Sequence, residues 1–128
     1  MASIVHEGDL GLSHLTSAEG LKLPEHVIGD LDLRGLTTAE GLKLPEGVAW
    51  HLNLSGLTSA EGLKLPEHVG GHLDLSGLTS AEGLKLPLHV GGDIHLWSLG
   101  KDEYDQEAHG PVELSGKVHF SNPRTNSN

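Results

Sequence analysis

One phrase is written four times along this chain, beginning at Leu15, Leu36, Leu57 and Leu78, always 21 residues apart and without an insertion. Its clearest copy runs Leu57-Thr58-Ser59-Ala60-Glu61-Gly62-Leu63-Lys64-Leu65-Pro66-Glu67-His68-Val69-Gly70-Gly71-His72-Leu73-Asp74-Leu75-Ser76-Gly77. A fixed period of this length describes a unit too small to cover its own apolar face, so the units must stack on one another. The rest of the composition agrees. Aromatic residues make up only 3% of the 128 residues, and leucine supplies most of the apolar content at even spacing. That suits a narrow core running the length of a rod better than a central one.

Within each copy, Leu alternates with polar residues over a short stretch, the period of two that a strand requires, and equivalent stretches one coil apart can pair only in parallel. Five such segments are expected, 9–15, 30–36, 51–57, 72–78 and 93–99, with Leu31, Leu33, Leu36 and their counterparts pointing inward. After each strand, Thr58 and Glu61 have the spacing of a capping box. Gly62, as a left-handed residue, then closes a single helical or 3₁₀ turn. Pro66 follows the Leu-Lys-Leu run and predicts an irregular return path rather than a long second sheet. The Gly70-Gly71 pair corresponds to Ala49-Trp50, and a backbone that accepts Trp50 has no need of a positive φ there.

The first unit enters halfway through the phrase. Residues 1–8 therefore read as an entry segment whose Ile4 and Val5 cover the open end of the core, and residues 9–99 as the solenoid. Residues 100–120 read as a terminal cap: a polar helix over 101–108, then a hairpin whose Val112, Leu114, Val118 and Phe120 share one face. Residues 121–128 read as a disordered tail.

Charge and composition narrow the function. A net charge of −10 disfavours nucleic-acid binding, which needs clustered Lys and Arg, while it suits a basic partner or mimicry of nucleic acid. With no cysteine, disulfides and thiolate metal sites are excluded. The first eight residues lack the basic start and apolar run of a secretory signal, which points to the cytoplasm, and no stretch has the ~20 apolar residues of a membrane helix. Ser, His and Asp recur by repetition without implying a concavity, so no catalysis is expected and no cofactor is called for.

The motif Leu-Pro-x-x-Val-x-x-x-Leu-x-Leu-x-x-Leu resembles a leucine-rich repeat. Leu73-Asp74-Leu75-Ser76-Gly77-Leu78 is similar to that family's L-x-L strand, and Leu65-Pro66 to its short bacterial type. The resemblance spans Asp9 to Leu99. It lacks the family's Asn after the strand, replaced here by Gly77-Leu78, and carries one extra residue between Val69 and Leu73. The fold this implies is a leucine-rich-repeat-like solenoid of about five coils, with a parallel sheet and one short helical turn per coil. A plain parallel β-solenoid is the alternative that the missing Asn opens. The function implied is binding of a protein partner on the strand face.

On that face the outward positions form rows: Asp9-Gly11-Ser13, Asp30-Asp32-Arg34, His51-Asn53-Ser55, His72-Asp74-Ser76 and Asp93-His95-Trp97. These rows vary between copies while the leucines do not, as a recognition surface would, although exposed positions also drift freely. The candidate partner-binding residues are Asp30, Asp32, Arg34, His51, Asn53, His72, Asp74, Asp93, His95 and Trp97, with Trp50 beside them. Trp97, Arg34 and Trp50 are the anchors, because such side chains carry most interface energy. His72, Asp74, Asp93 and His95 form a checkerboard with the right chemistry for zinc, but a flat sheet aims them in parallel whereas ligation needs convergence. Three functions thus stand open: a protein-interaction module, a metal-binding or structural rod, and an acidic nucleic-acid mimic. A homodimer through an uncovered end or edge is compatible with each.

Overall fold

The computed structural model describes residues 5–80, 84–100, 113–114 and 118–121, with 97–100 and the last two stretches described as strand backbone only. The helix expected over 101–108 lies outside these residues. Each coil crosses two parallel sheets. The first sheet contains β1 (Val5–Glu7), β3 (His26–Ile28), β5 (Gly47–Val48), β7 (His68–Val69), β9 (His89–Val90) and β11 (Glu113–Leu114), in that order. The second contains β2 (Leu10–Gly11), β4 (Leu31–Asp32), β6 (Leu52–Asn53), β8 (Leu73–Asp74), β10 (Ile94–Gly100) and β12 (Val118–Ser121). Register follows the sequence period: Leu31 pairs with Leu52, Leu52 with Leu73, and Leu73 with Ile94.

This is a plain parallel β-solenoid, and among the described residues it contains no helix. The segment expected to be helical is a β-turn in which Leu21, Leu42 and Leu63 donate their N–H to the carbonyls of Ala18, Ala39 and Ala60. Gly20, Gly41 and Gly62 close it at φ of 74–76°, as the sequence required of them. One turn suffices because the alanine before it is buried and pins the chain to the core: Ala18, Ala39 and Ala60 are 1–2% exposed.

A second sheet exists where an irregular return was expected. Proline lacks an N–H, but Glu67 directly after Pro66 already donates to Glu46 O, and His68-Val69 follow it onto the ladder. Four of the five expected strands, 9–15, 30–36, 51–57 and 72–78, are shorter than the sequence suggested, because a β-turn bends each one: the N–H groups of Leu15, Leu36, Leu57 and Leu78 return to Leu12, Leu33, Leu54 and Leu75, whereas the fifth is a seven-residue strand, Ile94–Gly100. Among the described residues of the expected hairpin cap, Glu113–Leu114 joins β9 and Val118–Ser121 joins β10, both in parallel, with partners 24 residues apart until a register shift sets Ser121 opposite Gly100. At the other end, Val5–Glu7 adds a strand to the first sheet, and Val5 is exposed rather than folded over the core.

The core is a single strip. Leu31, Leu33, Leu36, Leu52, Leu54, Leu57, Leu73, Leu75 and Leu78 are all fully buried, joined by Val27, Val48, Val69 and Val90 from the first sheet. Burying a leucine contributes about 2 kcal/mol, so the strip is the dominant stabilising feature of the stack.

Candidate functional site

The second sheet carries the predicted face, and its side chains serve the fold more closely than the sequence suggested. In the first sheet, N–H groups donate toward the preceding coil: Ala49 to Val27 O, Gly70 to Val48 O and Gly91 to Val69 O. In the second they donate toward the following one: Leu31 to His51 O and Leu52 to His72 O. At the corner where the direction reverses, the N–H of residues 30, 51, 72 and 93 points back at a carbonyl already turned away. A side chain supplies the acceptor instead. Asp30 N–H donates to Asp9 Oδ1 and His51 N–H to Asp30 Oδ1, each at 2.9 Å. His72 N–H donates to His51 Nδ1 and Asp93 N–H to His72 Nδ1, each at 2.8 Å.

The next outward column performs a local task of the same kind. Asp32 Oδ1 accepts from Arg34 N–H, Asn53 Oδ1 from Ser55 N–H, and Asp74 Oδ1 from Ser76 N–H, at 2.9 to 3.2 Å. These bonds brace the turn that follows the strand. Ser76 Oγ donates to the same Asp74 oxygen. Asp, Asn and His share one property that unites both columns: an acceptor at the δ1 position. At Asp9, Asp30, His51 and His72 in the first column and Asp32, Asn53 and Asp74 in the second, variation between copies is therefore held to residues that make the bond. Replacing Asp30 by Ala is expected to cost about 1 kcal/mol in urea denaturation, whereas Asp30→Asn, which keeps the acceptor, should cost nearly nothing.

Asp30, Asp32, His51, Asn53, His72, Asp74 and His95 line one shallow groove of about 350 Å³. Asp93 is not part of this lining; its N–H donates to Nδ1 of His72, which is. Arg34 stands at the rim, its Nε 3.4 Å from Asp32 Oδ2. Trp50, 58% exposed, sits at the corner just before His51 and not in the groove lining. Trp97 belongs to β10, but its side chain lies outside the described residues. The imidazoles of His51 and His72 stack with centroids 4.7 Å apart and planes 5° from parallel, and His95 lies tilted at 5.7 Å from His72. A second stack, His68 on His89 at 4.8 Å, decorates the first sheet.

Of the four residues weighed for a metal, His72, Asp93 and His95 bring ligand atoms within 4.8 Å of one another, while Asp74 does not join them. The chemistry of His72 is against the site. A neutral imidazole has one lone pair on nitrogen, and His72 gives it to the N–H of Asp93. A cation on Nε2 would move the proton to Nδ1 and set it against that N–H.

The threonine column also has a different duty from the expected cap. Thr58 Oγ1 donates to Thr37 O and Thr79 Oγ1 to Thr58 O, one coil back. The turn is capped by the next residue: Ser17, Thr38 and Ser59 accept from the N–H of Glu19, Glu40 and Glu61. No protein-family model, curated protein or solved structure matches this chain.

Proposed function

We propose that the chain is a non-enzymatic interaction module that binds a basic, extended segment of a protein partner along the groove of the second sheet. One observation carries this reading: carboxylates from two coils, Asp30 and Asp32 in one and Asp74 two coils further on, line a single open groove with His51 and Asn53 between them. Each carboxylate spends one oxygen on a backbone N–H. A carboxylate held this way is a fixed anion, so it meets a cationic partner with little conformational entropy left to lose. The net charge of −10 adds long-range attraction for such a partner and repels nucleic acid. Arg34 at the rim and Trp50 at the corner are suited to anchor the ends of the contact.

The test removes charge without removing the ladder. Asp30, Asp32 and Asp74 are replaced together by Asn, which keeps every δ1 acceptor. Binding of a Lys- and Arg-rich decapeptide is then measured by calorimetry at pH 8 and low salt. The unaltered protein should bind, and the triple variant at least about tenfold more weakly, since each lost ion pair is worth about 0.5 kcal/mol or more. Equal affinities, or no binding by the unaltered protein, would overturn the proposal.

A further inference from the structure

We infer that His51 and His72 form an acid-labile clasp between coils: the backbone ladder at this corner closes only while both rings are neutral, and acidification opens it. The inference concerns the groove proposed above as a binding site and rests on that reading only for its consequence for a partner. The geometry fixes the chemistry. Each Nδ1 accepts a backbone N–H at 2.8 Å, so each proton sits on Nε2. Adding a second proton turns the acceptor into a donor facing another donor, and the bond is lost. The rings are also stacked 4.7 Å apart, so charging one raises the cost of charging the other.

Nothing in the architecture demands histidine here. Asp9 and Asp30 do the same work in the preceding coils. A carboxyl group keeps an acceptor oxygen whether ionised or protonated, whereas a doubly protonated imidazole has none. The two kinds of rung thus divide the corner into an acid-stable half and an acid-labile half.

Other titratable groups face the pair. Asp30 lies against His51 through its backbone bond, Asp93 and the tilted His95 lie against His72, and Asp32 and Asp74 line the same groove. None of these groups restores the acceptor once the proton has bound. The sign follows: the opened or unfolded form takes up the proton more readily than the closed ladder, so stability falls as pH falls through the imidazole range. For a basic partner the direction is the same, since the groove gains positive charge as its corner loosens.

The experiment compares the unaltered protein with the double variant His51→Asn, His72→Asn, which retains both δ1 acceptors and cannot titrate near neutrality. No partner is needed, so its outcome is independent of whether the basic peptide binds. Long-range 1H–15N spectra at pH 8 should show both rings with the proton on Nε2. Between pH 8 and pH 5.5 the amide protection factors of His72 and Asp93 should drop at least about tenfold, while those of Asp30 and His51, which donate to carboxylates, hold. Over the same interval the Tm of the unaltered protein should fall by about 5 °C more than that of the double variant, the comparison cancelling the relief of general carboxylate repulsion. Nδ1-protonated rings at pH 8, or identical pH dependence in the two proteins, would overturn the inference.

Discussion

Gly56→Ala is expected to lower stability by about 3 kcal/mol, far more than a methyl group on the surface of a turn would cost elsewhere. The reason is the stacking distance, not the backbone angle, since Gly56 does not occupy the left-handed region. A Cβ built on it would lie well inside contact with the carbonyl oxygens of Arg34 and Leu36 on the preceding coil. Gly35 and Gly77 meet the same backbone one coil away in either direction. The coils therefore touch main chain to main chain at this turn, and a methyl group must pry them apart along with the leucine strip on either side. Gly62 provides the control. Its φ is +76°, but nothing lies within 4 Å of the Cβ that it lacks. Gly62→Ala should cost only about 1 to 2 kcal/mol, the penalty of a left-handed alanine, and Gly62→Asn less, because Asn tolerates that region. At position 56 the change to Asn should bring no such relief. Urea denaturation of the four variants, with the slope m checked for constancy, measures the contrast.

The repeat itself was legible in the sequence, and so were the inward leucines and the positive φ of the glycine after Ala-Glu. All three follow from local rules: a fixed period, alternation, and the geometry of a tight turn. The second sheet was not legible, because Pro66 argued against a ladder on its side and because strands of two residues, such as His68–Val69, are too short to show a period. Nor was the last coil. Its Leu114-Ser115-Gly116-Lys117-Val118-His119-Phe120 repeats the pattern of Val90-Gly91-Gly92-Asp93-Ile94-His95-Leu96, but a spacing of 24 residues breaks the period, and Ser-Gly between apolar residues reads as a hairpin turn.

The face was legible in place but not in role. By exposure alone, Asp30, His51 and His72 are a variable surface. Their common δ1 acceptor, and the orphaned N–H it serves, become visible only once the two sheets are seen to donate in opposite directions. The side chains that ladder between coils stand before the first leucine of the strand, at positions 30, 51 and 72, and are written as Asp and His. Trp50, one of the expected anchors, stands at the corner just before His51 and outside the groove lining.

If coils 21 residues apart stack in register around a continuous leucine strip, two deletions must behave in opposite ways. Removing residues 52–72 joins His51 to Leu73, which is the junction that His72 makes now, and takes away one whole coil. Removing only residues 52–62 takes away about half as much chain but joins His51 to Leu63, setting a residue of the second sheet against the return path of its own coil. Because stability in such a stack is a sum over coils and their interfaces, the larger deletion should leave a folded protein. It should keep a β-type far-UV spectrum and a cooperative urea transition with a somewhat smaller m. The smaller deletion should leave no cooperative transition. A smaller deletion as stable as the larger one, or a larger deletion that abolishes folding, would contradict the account.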